Sequence, residues 1–289
     1  MEGGRKLKKK QNLFIITSIA PAAICFLVMF AYPLIRTFLM SLNQMPAISS
    51  SAADWSFVGL DNYIGLFKNS VFIASLKNIG VIWLVGGFLT LGIALFFAVI
   101  LASGVKGKKF WRSAIYLPNT ISAVALSTMW LQYIFQNKFG LFKQLFTALG
   151  WTALAKINWT APAWIFWAML ISYVYGSVGY FMLILLSGIE GIPQDIYESA
   201  IIDGANAWTK FWKITFPYIS PMILSNLVYT VIDAFVSTDN VVMEYVLAQS
   251  RNWEYGYSAA LAWIYFAIVG ACLGIICVII NRFVYYEND

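Results

Sequence analysis

The chain has 289 residues, of which 61% are hydrophobic and only 11% charged, with a formal net charge of +6 and a mean hydropathy of +0.74. A soluble domain carries about 25% charged residues, so this chain has too little charge to coat a water-exposed surface, and a bilayer is its expected solvent. Histidine is absent, which excludes His-dependent triads, His-ligated metal sites and imidazole proton relays. Cys25, Cys272 and Cys277 lie in apolar stretches without Cys-x-x-Cys spacing and read as small apolar residues rather than a disulfide or zinc framework.

The N-terminal residues 1–12 form a basic tail carrying Arg5, Lys6, Lys8, Lys9 and Lys10. The apolar run that follows, Leu13–Met40, far exceeds the roughly 7–15 residues of a signal-peptide core and predicts a retained membrane helix. A spanning helix needs about 20 mostly apolar residues. Five further stretches meet that length in chain order: Leu76–Leu101, Ser113–Phe135, Pro162–Ser187, Tyr218–Phe235 and Ser258–Phe283. In the second span Gly80, Gly86, Gly87 and Gly92 offer the small surfaces that let helices approach closely in lipid.

An even number of spans puts both termini on one side, and the basic tail assigns that side to the cytoplasm. The short loop with Lys106, Lys108, Lys109 and Arg112 then falls on the same side, as does the loop at 188–217. Anionic headgroups are the expected counter-charge, at about 1 kcal/mol per basic residue. Asn43–Ser75, Gln136–Ala161 and Ser237–Tyr257 would lie outside. Trp151, Trp159 and Trp164 near one boundary, with Trp111, Trp208 and Trp212 near the other, suit interfacial belts or ordinary packing. Without linker, low-complexity tract or short repeat, residues 1–289 read as one membrane domain.

The loop at 188–217 is the most patterned stretch. Tyr197-Glu198-Ser199-Ala200-Ile201-Ile202-Asp203-Gly204-Ala205 is followed by Phe211, Ile214 and Pro217. Pro193 suits the first turn of a helix, and Asp195 and Glu198 fall where the helix dipole favours carboxylates. Gly204 supplies the left-handed residue that ends the helix. A second short helix from about Ala207 to Thr215 would run until Pro217 opens the next span. This predicts a helix-turn-helix, with Ala200 small enough for close contact.

The spacing of Glu198, Ala200, Gly204, Ile214 and Pro217 resembles the EAA loop of binding-protein-dependent ABC importer permeases, with Ser199 in place of the usual Ala. Phe57-Val58-Gly59-Leu60-Asp61-Asn62-Tyr63 is similar to the segment before the second core span of sugar-type permeases. Arg112 with Tyr116-Leu117-Pro118, then Ser122, Val124, Ala125, Trp130 and Phe135, is similar to their third core span. The resemblance extends from about Tyr32 to Ala267. It implies an all-α membrane protein of about six transmembrane helices, with a cytoplasmic EAA helix-turn-helix in which Glu198, Ser199, Ala200, Asp203, Gly204 and Ala205 couple to an ATPase.

The same resemblance implies a permease subunit for a carbohydrate, located in a bacterial-type cytoplasmic membrane. Its implied partners are a second homologous permease, two ATP-binding subunits and an extracytoplasmic solute-binding protein. Gly104-Val105-Lys106-Gly107-Lys108-Lys109 lacks the Gly-x4-Gly-Lys-Ser/Thr frame that cradles phosphates. No cofactor is therefore expected in this chain, and ATP and Mg would bind the partner ATPase, leaving this subunit without enzymatic activity of its own.

Polar side chains within lipid are costly and face a bundle interior or water. In the fifth span Ser225, Tyr229, Asp233 and Ser237 recur every four residues and form one helical stripe. At about 1.5 Å rise per residue from Pro217, Asp233 would sit in the outer half of the membrane. In the fourth span Tyr173, Ser177 and Tyr180 share a face with Gly176. Aromatic rings beside hydroxyls and a carboxylate suit a sugar, so Tyr173, Ser177, Tyr180, Tyr229 and Asp233 are the candidate substrate cavity. Packing tyrosines and an Asp233 that only bonds a neighbouring helix are the other reading of the same residues. Two further functions stay open: a permease for another small solute such as a polyol phosphate, and an ion-coupled secondary transporter using Asp233.

Overall fold

A computed structural model of the chain describes residues 2–47, 49–236 and 241–282. A helix begins at Glu2, and its apolar part, α1 (Phe14–Ser41), is followed by a two-stranded hairpin of β1 (Asn43–Gln44) and β2 (Ser56–Phe57). Then come α2 (Asp61–Lys68), α3 (Ser70–Ala102), α4 (Lys108–Thr120), α5 (Ala123–Ile134), α6 (Leu141–Ala148) and α7 (Thr152–Ala155). After α8 (Ile165–Glu190) and α9 (Gln194–Ile202) the chain continues through α10 (Ala207–Tyr218), α11 (Ser220–Phe235), α12 (Val241–Arg251) and α13 (Tyr255–Ile280).

Among the described residues four helices, α1, α3, α8 and α13, are long and apolar enough to cross a membrane, and the number rises to six when each of the bent pairs α4–α5 and α10–α11 is counted as one span. The expected second span begins earlier than Leu76, at Ser70, because Asn69 Oδ1 accepts the amides of Val71 and Phe72 at 3.0 and 3.2 Å and starts the helix there. The expected single span Ser113–Phe135 is instead two helices bent by 98°. Ile121 is extended and the Ser122 hydroxyl caps a new helix by accepting the Ala125 amide. The expected break at Pro217 is also displaced. Pro217 lies near the C-terminal end of α10, directly after a π-turn at Phe211–Thr215, and the 64° bend falls at Ile219. Ser237 and Phe283, which bounded expected segments, lie outside the described residues.

The chain divides into two compact units, Met1–Leu76 with Thr238–Ile268, and Lys77–Ser237 with Val269–Asp289. In the first, a π-turn at Leu27–Ala31 precedes Pro33, whose ring cannot tolerate regular spacing to the carbonyl four residues back. Gly59, at φ +58°, turns the chain from β2 towards α2. Asn62 Nδ2 then donates to Ser41 O at 2.9 Å, and the Tyr63 and Ser41 hydroxyls lie 2.6 Å apart. Those bonds pin the Phe57–Tyr63 segment to the end of α1. Asn69 Nδ2 also donates to the Tyr245 hydroxyl at 2.7 Å, tying α12 to the head of α3.

The second unit is built on α3 and α8. Ala94, Ala98 and Leu101 of α3 are buried with Phe181, Met182, Leu185 and Leu186 of α8, the small residues allowing the two helices close contact. Gly179 is the tightest point on α8. A Cβ there would lie 2.4 Å from Ile115 O and 2.7 Å from Tyr116 Cα, so α4 rests its backbone on this glycine. Of the glycines expected to pack in α3, Gly86 faces Leu170 and Tyr173 and Gly87 faces Thr230, whereas Gly80 and Gly92 have open space.

Gly179→Ala should therefore cost about 1–3 kcal/mol by overpacking, while Gly92→Ala should be neutral or gain up to about 1 kcal/mol of helix propensity. Thermal unfolding of the two variants in the same detergent measures the difference, with only Gly179→Ala expected to lower the midpoint.

Candidate functional site

Glu198 lies within α9, which is entered through Pro193 at its N-cap rather than in its first turn, because Pro193 has extended backbone angles. Asp195 occupies that first turn, where carboxylates are favoured. Gln194 Nε2 donates to Glu198 Oε1 at 2.9 Å, and the Ser199 hydroxyl donates back to Asp195 O at 2.8 Å. The helix ends as the sequence indicates. Asp203 is the C-cap, Gly204 has φ +76°, the Gly204 amide donates to Ile201 O at 3.0 Å, and the Ala205 amide donates to Ala200 O at 2.9 Å. This pair of bonds is the Schellman closure, which needs a left-handed residue at the position of Gly204.

Asn206, which the sequence reading did not single out, starts α10 by accepting the Thr209 amide on its side chain at 2.8 Å. Its signal was an Asx residue directly before a helical run. The Tyr197 and Thr215 hydroxyls, 2.8 Å apart, link α9 to α10. Ile192 and Ile219 belong to the buried core of the second unit, and Ile196, Tyr197, Ile214 and Tyr218 pack against it. The helix-turn-helix is thus seated on the ends of α8 and α11. Its outward side mixes apolar and acidic residues, with Ile202 87% and Trp208 71% exposed beside the exposed Asp195, Glu198 and Asp203. Lys108 pairs with Glu190 at the end of α8, which puts the Lys-rich turn beside the start of this loop.

A separate cavity of about 330 Å³ opens on α4, α8 and α11, lined by Asn119, by Ser177, Tyr180 and Phe181, and by Tyr229, Ile232 and Asp233. The Ser177 hydroxyl donates to Asp233 Oδ2 at 3.4 Å, and the rings of Tyr180 and Tyr229 meet edge to face at 5.8 Å. Four of the five expected cavity residues therefore converge. Tyr173 does not line the cavity; its buried hydroxyl sits beside Asp233 and Ser177. From the same helical stripe Ser225 turns back to bond Pro221 O at 3.0 Å, and Ser237 is outside the described residues.

The sequence reading missed Asn119 and Asn226. Asn119 is one residue beyond Pro118 at the end of α4, donates to Gly176 O at 3.3 Å, and reaches the cavity because the chain bends there. Asn226 is fully buried and donates to Phe181 O at 3.2 Å. Both were visible as amides within apolar spans, the same criterion that drew attention to Asp233. Trp159, considered for an interfacial belt, is a packing residue that stacks on Phe135 at 5.8 Å.

The family described as the binding-protein-dependent transport system inner membrane component matches residues 70–287. The chain belongs to this family. It is therefore a multi-pass membrane permease component. The probable ABC transporter permease protein YesP of Bacillus subtilis (strain 168) is 32% identical, the match covering 97% of this chain and 94% of YesP. The trehalose/maltose transport system permease protein MalF of Thermococcus litoralis is 30% identical, covering 79% of this chain and 76% of MalF. A chain in the crystal structure of a bacterial ABC transporter that imports the acidic polysaccharide alginate has the same fold. Its TM-score is 0.81 at 20% identity, with 96% of this chain and 99% of that chain covered.

A Cβ at Gly204 would meet nothing within 4 Å, so only the backbone conformation restricts this position. A left-handed conformation costs most L-residues about 1–2 kcal/mol, and Asn far less. Gly204→Val should speed hydrogen exchange of the Ala205 amide roughly tenfold or more, whereas Gly204→Asn should stay close to the parent rate; exchange mass spectrometry of the detergent-solubilised chain reads both.

Proposed function

We propose that the chain is the transmembrane permease subunit of an ATP-driven, binding-protein-dependent importer for a carbohydrate. The observation that carries the proposal is the helix-turn-helix formed by α9 and α10. It is closed at Gly204, fastened to the core by Ile192 and Ile219, and continuous with the cavity-lining α11. The exposed Ile202 and Trp208, beside the exposed carboxylates Asp195, Glu198 and Asp203, fit a docking contact with an ATP-binding subunit. Glu198, Ser199 and Ala200 in the second half of α9, with Asp203, Gly204 and Ala205 in the turn that follows, form the part that such a subunit would hold.

On this reading the complex contains a second, homologous permease, two ATP-binding subunits that carry ATP and Mg, and an extracytoplasmic solute-binding protein. On the same reading the chain lies in the cytoplasmic membrane with both termini and the Glu198 loop inside, an orientation that the basic segments support. Carbohydrate cargo is supported by MalF, whose name specifies trehalose and maltose, and by the chemistry of the cavity. Tyr180 and Tyr229 present rings to the C–H faces of a pyranose, while Asn119, Ser177 and Asp233 offer hydrogen-bonding groups for its hydroxyls. Alternating exposure of this cavity would follow closure and opening of the ATPases.

Uptake by cells carrying the whole importer should disappear when the ATPase subunit is deleted and should persist when the proton gradient is collapsed at constant ATP. Uptake that survives ATPase deletion and fails with an uncoupler would instead assign Asp233 to an ion-coupled carrier.

A further inference from the structure

Asp233 is the one charged side chain among the described residues that line the cavity. The remaining wall consists of the Asn119 amide, the hydroxyls of Ser177, Tyr180 and Tyr229, and the apolar Phe181 and Ile232. The bond from Ser177 to Asp233 Oδ2 orients the carboxylate without neutralising it. Asp233 keeps an exposed surface on the cavity wall, so a solute that enters the cavity can reach it. A cavity with low-dielectric walls and one sign of charge focuses its field on whatever enters.

Building on the carbohydrate reading above, we propose that Asp233 makes this cavity a charge filter, passing neutral and amino-bearing saccharides and excluding uronate or sulfonated ones. An ionised carboxylate only accepts hydrogen bonds. It can receive a sugar hydroxyl or an ammonium group, but it cannot pair with a second carboxylate, and no Lys or Arg among the described lining residues offers that pairing. The likeness to the alginate importer, at 20% identity, is one of fold alone. The edge-to-face tyrosine pair supplies a surface for the apolar face of any sugar, so charge discrimination rests on Asp233.

The test uses the assembled importer in proteoliposomes, with Cys25, Cys272 and Cys277 replaced by alanine and one thiol introduced by Tyr229→Cys or, separately, Ser177→Cys. Reaction rates are measured with a cationic and an anionic methanethiosulfonate reagent. The cation-to-anion rate ratio should be roughly tenfold higher with Asp233 than after Asp233→Asn, and Asp233→Glu should restore it. Equal ratios with Asp and Asn, or no reaction of either thiol with either reagent, would overturn the charge filter. Uptake of a neutral malto-oligosaccharide, a glucosamine oligosaccharide and an oligogalacturonate is measured alongside. Oligogalacturonate uptake by the parent protein at the rate of the neutral sugar would also overturn it. A charge-sensitive thiol in a complex that carries none of the three sugars would remove the carbohydrate reading and leave the electrostatic filter standing.

Discussion

Polar groups within hydrocarbon seek partners in the protein, and α11 makes three such bonds along one seam. Asn226 donates to Phe181 O on α8, Thr230 accepts from Trp83 Nε1 on α3 at 3.2 Å, and Asp233 accepts from Ser177 on α8. These three bonds fix the rotation of α11 about its own axis. Tyr229 and Asp233 consequently face the cavity, while Val231 and Leu227 are buried against the neighbouring helices. A rotation that exposed the seam to lipid would leave an amide and a carboxylate without partners. The seam therefore specifies orientation more than it adds stability.

The same body continues to the helix-turn-helix. The core of α3 and α8 runs without interruption to Ile189, Ile192 and Ile219. The bend between α10 and α11 is held where Ile219 is fully buried and Gly188 admits Met222, whose Cγ would be 3.0 Å from any Cβ at that glycine. A bend packed in this way acts as a rigid elbow rather than a free joint. Force applied at α9 would be delivered to α11, and hence to one wall of the cavity, without being absorbed on the way.

Much of this was legible in the sequence because its signals are local. The apolar runs gave the spans, the register around Glu198 gave the loop, and Gly204 was recognisable as a left-handed cap from its place after Asp203. Polarity within lipid identified Ser177, Tyr180, Tyr229 and Asp233. The rest depended on what lies across the bundle. Gly179 looks like any small residue in an apolar helix until the α4 backbone is found against it. The 98° bend follows from the local conformations of Ile121 and Ser122, which hydropathy does not register, and it is this bend that brings Asn119 to the cavity. Tyr173 shares its helical face with Ser177 and Tyr180, yet it is half-buried behind the wall, with its ring beside Gly86.

Transmission from the loop to the cavity depends most on α10 and α11 moving together. Spin labels at Trp208 and Ser225, both exposed within the chain, span the elbow at Ile219, and pulsed dipolar spectroscopy on the assembled importer reads the distance between them. A single distribution that is the same in the nucleotide-free and ATP-bound complexes is the result expected of a rigid elbow. A distance that shifts by several ångströms, or splits into two populations on ATP binding, would show that Ile219 is a hinge and contradict direct transmission from the loop to the cavity.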